Sequence, residues 1–193
     1  MKTVDLEGAL ELLKEGKTVI FPTETSYALG CDATNDAAVE RVFKIKGRPN
    51  GKGTPFLLPE DMDPGEFVDF SPKLSALAER FWPGPLNIVA PRSEHSNASM
   101  RCETDGTQAV RKSSHPIALE LAFMLGRPIV ATSANRSDRP SIYTAAGIRD
   151  EFKDGELPDG FLDAGDLPIT PASTIVQEKD GRIEILRQGG IVL

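Results

Sequence analysis

Two short stretches carry residue types suited to handling an anion: Phe21-Pro22-Thr23-Glu24-Thr25-Ser26-Tyr27-Ala28-Leu29-Gly30, and Lys46-Gly47-Arg48-Pro49. Ahead of the first, Thr18-Val19-Ile20-Phe21 is apolar, partly β-branched and stopped by a proline. That is the pattern of a buried strand delivering a hydroxyl-rich turn to its C-terminal end, the end where open α/β sheets collect ligands. Lys46 and Arg48 close a predicted helix, where cations complement the dipole. They read as a plain C-terminal cap, which the local spacing favours, or as a phosphate clamp. Arg41, Lys44 and Lys52 join them in a local basic patch. Farther on, Thr107, Ala109 and Arg111 alternate along a predicted strand and share one face, so Thr107 and Arg111 can reach one ligand. Thr132, Ser133 and Asn135 gather at another strand end, either as an ordinary turn, the simpler local reading, or as hydrogen-bonding groups for a ligand.

The elements that must position these groups show as periodicities. Residues 5–15 carry Leu6, Ala9, Leu10 and Leu13 at helical spacing and end at Gly16. Asn35 caps a second helix, with Val39, Val42 and Phe43 inward and Gly47 as its stop. Residues 55–58 read as a short buried strand. Ser71 and Pro72 open a helix whose inner face is Leu74, Leu77, Ala78 and Phe81, and residues 82–85 end it. Strands are expected at 86–90, 107–111 and 128–132, the last buried on both faces. A polar, mobile loop is expected over 91–106, and a helix over 116–125 that Gly126 stops. A helix around 145–152, a Pro/Gly/Asp-rich loop, and strands at 173–177 and 182–187 joined by Asp180-Gly181 complete the chain. The pattern predicts one α/β (α+β) domain over residues 1–193, a single twisted mixed sheet with helices packed on it.

Composition narrows the function. At 193 residues, 39% hydrophobic and 26% charged, the chain is long enough for a real core and is neither disordered nor membrane-like. The N-terminus has no signal-peptide pattern, which points to the cytoplasm and away from any membrane. Cys31 and Cys102 are too few for a disulfide framework, and with only His95 and His115 beside them they make a poor ligand set, so no metal site is predicted. A net charge of −7 argues against nucleic-acid binding by the whole surface, while a local basic patch can still hold phosphate. Trp82 reads as a turn or core anchor and His115, before Pro116, as a helix-entry residue. Tyr27 is divided between core and site.

Taken together, the motifs resemble the YrdC-like family of L-threonylcarbamoyladenylate synthases over nearly the whole chain. The opening motif is similar at Pro22-Thr23-Glu24-Thr25 with Tyr27, Leu29 and Gly30, and Lys46-x-Arg48 with Ser133-x-Asn135 resembles the family's catalytic quartet. Trp82-Pro83-Gly84-Pro85-Leu86, Ala109-Val110-Arg111 and Ser173-Thr174-Ile175-Val176 follow in the family's order. The resemblance implies a YrdC/RibB-like fold around a basic concave cavity. It also implies a nucleotidyltransferase that joins L-threonine, bicarbonate and ATP into threonylcarbamoyl-AMP, releasing pyrophosphate, for a downstream tRNA threonylcarbamoyl transferase complex. By position, Lys46, Arg48, Ser133 and Asn135 would be catalytic, and Thr25, Arg111 and Ser133 would hold threonine. Arg48, Lys52, Thr107, Asn135, Ser173 and Arg187 would hold ATP, with Tyr143 added by spacing alone. Mg2+ would arrive on the nucleotide.

The chain also departs from the family pattern. Leu57 or Leu58 stands where some members carry a histidine, Ala28 and Asp138 replace glycines, and Lys112-Ser113 replaces a residue-proline pair. If Arg111 is to fork onto a substrate carboxylate, it should face the cavity without a permanent carboxylate partner; a place on the outer surface, or a lock onto an Asp or Glu, would sink the threonine assignment. The alternatives are an RNA-binding module using the same basic cavity without catalysis, and a related enzyme forming another carbamoyl or acyl adenylate.

Overall fold

The run from Ile129 to Ser133 passes between two sheets, and the architecture follows from that crossing. In the computed structural model, which describes residues 1–49 and 51–193, Ile129–Val130 pairs antiparallel with Phe56–Leu57, and Thr132–Ser133 pairs antiparallel with Tyr27–Gly30. Between them the Ala131 amide donates to the Pro55 carbonyl at 3.0 Å, and the Val130 amide to that of Cys31 at 2.8 Å. The crossing is tight. A Cβ on Gly30 would lie 2.0 Å from the Val130 carbonyl oxygen, so only glycine fits. The single sheet and the single strand at 128–132 expected from the sequence are therefore corrected to two mixed sheets sharing a junction. A buried apolar run reads the same whichever sheet it joins.

The first sheet has the order β1 (Lys2–Val4), β9 (Gly160–Leu162), β2 (Val19–Pro22), β3 (Tyr27–Gly30), β8 (Thr132–Ser133). The second runs β11 (Arg182–Arg187), β10 (Thr174–Lys179), β5 (Leu86–Pro91), β6 (Thr107–Arg111), β4 (Phe56–Leu57), β7 (Ile129–Val130). The helices are α1 (Leu6–Lys14), α2 (Asp36–Lys46), α3 (Pro72–Phe81), α4 (Pro116–Leu125) and α5 (Ala145–Glu151). Their ends obey local chemistry. Asp5, Asn35, Ser71 and Thr144 accept amide hydrogens of the first turn, while Gly47 and Gly126 close α2 and α4 at φ 63 and 65. Strand alternation separates the core into two. Val19 and Phe21 of β2 pack with Leu10 and Leu13 of α1 and Leu121 and Leu125 of α4, while Ile20 faces the larger core with Leu29, Val42, Phe56, Ile88 and Val110.

Three sequence expectations change here. Residues 91–106 are not a free polar loop: Ala98, Ser99 and Cys102 are buried, and the Ser99 amide donates to Ala33 at 2.7 Å. The turn after β2 is confined to residues 23–26, because residues 27–30 return as β3. Finally, β1 and β9 were not anticipated. Each is three residues long, too short for alternation to register. Among the described residues no helix is long and apolar enough to cross a membrane.

Candidate active site

The turn after β2, the C-terminus of α2, the end of β6, the turn after β8 and the start of β10 converge on one cavity of about 530 Å³. Lys46, Arg48, Lys52, Arg111 and Arg187 line it, against one lining carboxylate among the described residues, Asp138. Thr25, Ser133, Asn135 and Ser173 line it as well. Nine of the proposed site residues, separated by up to 162 positions in the chain, thus meet in one space.

Each wall is held from behind. In the 23–26 turn the Thr23 hydroxyl donates to the Ser26 carbonyl at 2.7 Å and lies 3.1 Å from the Thr25 hydroxyl. The Thr170 hydroxyl is 3.1 Å from both the Glu24 and Thr25 carbonyl oxygens, strapping the turn from outside. Lys46, 3% exposed, donates from Nζ to the carbonyls of Ser133 and Asn135 at 2.6 Å each, so the end of α2 grips the turn after β8. Burial pulls the Lys46 ammonium down to about 8, nearby Arg48 acts in the same direction, and Glu151 opposes them. Arg48 donates from Nε to the Lys52 carbonyl at 2.8 Å and from Nη2 to Gly53, and lies over the Phe43 ring. It is a clamp on the following loop as well as a cavity cation, which the cap reading alone does not describe. Arg187 donates from Nε and Nη2 to the Ser173 carbonyl at 3.0 and 2.8 Å and from Nη2 to its hydroxyl at 2.7 Å. Asn135 donates its amide to the Arg136 and Arg139 carbonyls at 2.9 and 2.7 Å, which fixes the flip and leaves Oδ1 buried with no partner among the described residues.

Arg111 departs from expectation. It is 5% exposed, and Nη1 donates to Glu24 Oε1 at 2.7 Å. The expectation of an unpaired guanidinium is overturned for a physical reason: a buried cation without a counter-charge is costly, and Glu24 supplies one. Burial lowers the Arg111 pKa and Arg187 acts in the same direction, while Glu24 opposes both. On the criterion set from the sequence, the reading of Arg111 as an unpaired seat for the threonine carboxylate fails, and only a seat made from the nitrogens that Glu24 leaves free can still be proposed. Arg111 lines the cavity, and its Nε and Nη2 make no hydrogen bond among the described residues.

Two further site residues lie away from this cavity. Thr107 shares the Arg111 face but sits four residues away along β6, about 13 Å at ordinary strand rise, and its hydroxyl donates to the Thr104 carbonyl at 2.7 Å. It does not line the cavity. Tyr143 donates to Thr170 at 3.2 Å and is also absent from the lining. Leu57 and Leu58 lie in the core rather than at the cavity, whereas Ala28 and Asp138 do line it. Asp138 adopts φ 65, the left-handed turn that a glycine would otherwise serve. Tyr27 is fully buried and donates to the Gly165 carbonyl at 2.7 Å, and the Trp82 indole donates to Leu86 at 2.7 Å, so both are structural anchors. His115 precedes α4 without a side-chain cap bond. Sequence reasoning missed Asn87 as a cavity residue; its amide donates to the Ser173 hydroxyl at 2.7 Å. A polar residue in the apolar run 86–90 was the available signal.

Such a cavity, at the junction of two mixed sheets of an α/β protein and lined by cations and short hydroxyls, has the chemistry to receive a small anion. The Sua5/YciO/YrdC family model, described as "Telomere recombination", matches residues 11–189, and the chain belongs to that family. A threonylcarbamoyl-AMP synthase of Pyrococcus abyssi is 38% identical over 190 residues, covering 96% of this chain and 54% of the relative. One of Thiobacillus denitrificans is 40% identical over 146 residues, covering 72% of this chain and 74% of the relative. The crystal structure of P. abyssi Sua5 complexed with L-threonine superposes with a TM-score of 0.85 at 35% identity, covering 96% of this chain and 54% of that one. The chain thus spans about half the length of the P. abyssi relative.

Proposed function

We propose that this chain is a nucleotidyltransferase that forms L-threonylcarbamoyl-AMP from L-threonine, bicarbonate and ATP. The observation that carries the reading is the convergence of five cations, the Thr25 turn and the Ser133–Asn135 turn on one cavity. Arg48, Lys52 and Arg187 are positioned to offset the polyphosphate charge, with Ser173 and Asn135 as hydrogen-bonding partners. Thr25 and Ser133 supply hydroxyl-level contacts for threonine, and Arg111 supplies Nε and Nη2 for its carboxylate. No protein nucleophile is needed. Threonine's neutral amine forms an N–C bond to carbon dioxide with loss of a proton, or to bicarbonate with loss of one water that carries the amine hydrogen away. The new carbamate oxygen then attacks the α-phosphorus in line, and the bond to pyrophosphate breaks. The protein's part is positioning and electrostatic stabilisation of charge on the departing group.

Magnesium fits as a passenger of the nucleotide. Among the described residues no group of three or more His, Cys, Asp or Glu forms a cage, and Asp138 is the carboxylate on the cavity wall. The adenylate would pass to a tRNA threonylcarbamoyl transferase complex in the cytoplasm, a setting suited to the two unpaired thiols, Cys31 and Cys102. The test is pyrophosphate release with each substrate omitted in turn. Release is expected only when threonine, bicarbonate and ATP are all present. Release that persists with another amine in place of threonine would move the related-adenylate reading ahead, and ATP hydrolysis indifferent to both co-substrates would sink the synthase reading.

A further inference from the structure

Glu24 belongs to the hydroxyl-rich turn, yet it does not line the cavity that its neighbours Thr23 and Thr25 line. Its carboxylate is taken up by Arg111 and Ser113. Oε1 accepts from Arg111 Nη1 at 2.7 Å, and Oε2 accepts from the Ser113 hydroxyl. The backbone beneath it is held by the Thr23–Ser26 and Thr170 hydrogen bonds, and Arg111 itself is fixed opposite Leu57 in the β4–β6 ladder. Both ends of the ion pair are therefore anchored to different sheets, β2–β3 on one side and β6 on the other.

We infer that Glu24 is a positioning residue: it takes one nitrogen of Arg111 and thereby sets the guanidinium plane so that Nε and Nη2 are presented to the carboxylate of a small amino acid. This rests on the proposed reaction and deepens it. A guanidinium has a rigid planar fork, so engaging one nitrogen orients the other two. The pair is also near neutral as a unit, so this wall recognises a carboxylate by hydrogen-bond geometry rather than by excess charge. Arg48, Lys52 and the nearby Arg187 carry the charge that polyphosphate needs. Ser113, a departure from the family pattern, becomes part of the same device because it occupies the second carboxylate oxygen and stops Glu24 from turning toward the cavity.

The test uses Glu24→Gln, which keeps shape and one acceptor, beside Ser113→Ala and the double variant Glu24→Gln/Arg111→Lys. Wild-type threonine-dependent pyrophosphate release and calorimetric threonine binding are measured first. Their absence removes the proposed function, and this inference falls with it. With an active wild type, Glu24→Gln is expected to raise KM and Kd for threonine about tenfold, the scale of one misoriented charge-assisted bond. KM for ATP should stay within about twofold and kcat within about threefold. Ser113→Ala should move the same way by less, and Glu24→Gln should add nothing in the Arg111→Lys background. Unchanged threonine KM, tighter threonine binding, or a parallel rise in both KM values with a fallen melting temperature would each overturn the inference. The second would make Glu24 a competitor for Arg111, and the third a mere fold support. If Glu24→Gln fails to fold, Ser113→Ala carries the same KM comparison alone.

Discussion

Lys46 is the residue where charge and geometry pull hardest against each other. It is buried, its ammonium is shared between two carbonyls, and its pKa is drawn down to about 8. An anion entering the cavity favours the charged form and raises that pKa, so nucleotide binding above about pH 8 should take up a proton. The sign follows directly: affinity falls as pH rises through 8, by up to about tenfold per unit, and little change is expected below it. Calorimetry of ATP binding in two buffers with different heats of protonation should give proton uptake approaching one at about pH 9 and near zero at about pH 7. Lys46→Met should abolish the uptake. Equal proton counts at both pH values would mean that Lys46 serves the turn after β8 and never senses the ligand. Sequence patterning placed Lys46 and Arg48 on either side of a helix stop but could not show where their long side chains end. Spacing along a helix reports a face, whereas the carbonyls of Ser133, Asn135, Lys52 and Gly53 that receive them are set by tertiary packing. The same gap hid the Glu24–Arg111 pair, whose members lie 87 positions apart.

Among the elements, the crossing of β7 into β8 beside β3 does most to shape the site, because it brings Ser133 and Asn135 alongside Ala28 and the Thr23–Ser26 turn. Its weak point is Gly30, where an added methyl meets both the Val130 carbonyl at 2.0 Å and the Phe21 ring at 2.8 Å. Backbone cannot retreat there without opening the Val130–Cys31 hydrogen bond. Gly30→Ala is therefore expected to cost about 3 kcal/mol, the upper range for overpacking, and to lower the melting temperature by roughly 6–12 °C for a domain of this size. Gly47→Ala meets nothing within 4 Å and costs mainly its positive φ, so it should be clearly milder. If the two variants melt together, steric closure at the junction is not what glycine supplies. Helices with strong apolar spacing and cap residues were legible at the right positions, as α1 through α4 show. Among the short strands, β4 and β7 were legible as apolar runs, whereas the three-residue β1 and β9 were not, because pairing rather than local pattern creates them, and the division of 129–133 between two sheets leaves no trace in composition.

For the whole molecule, the distribution of charge matters more than its sum. The chain is net −7, yet Lys46, Arg48, Lys52, Arg111 and Arg187 all line one cavity. A polyanion such as RNA would have to approach a chain that is acidic as a whole, whereas the proposed nucleotide, small enough to enter the cavity, would meet the cations there. The cavity lining agrees: among the described residues no Phe, Tyr or Trp lines it, so it offers no aromatic stacking face for bases. A short single-stranded RNA, followed by fluorescence anisotropy near physiological salt, should therefore bind no more tightly than roughly 10⁻⁴ M, the weak end of non-specific association. ATP binding, measured in the same buffer, should be tighter and should weaken with added salt, since its contacts are charge-assisted. The decisive arm is competition. RNA that binds at micromolar level with a steep salt slope, and that ATP displaces, would place the polyanion in the cavity and put the non-catalytic RNA-binding reading ahead. RNA binding of that strength undisturbed by ATP would assign it to another surface and leave the cavity to the nucleotide. Neither the net charge nor the patch at residues 41–52 could separate these readings in the sequence, because Arg41 and Lys44 turn outward to pair with Asp159 and Glu40 while Arg111 and Arg187 arrive from distant strands.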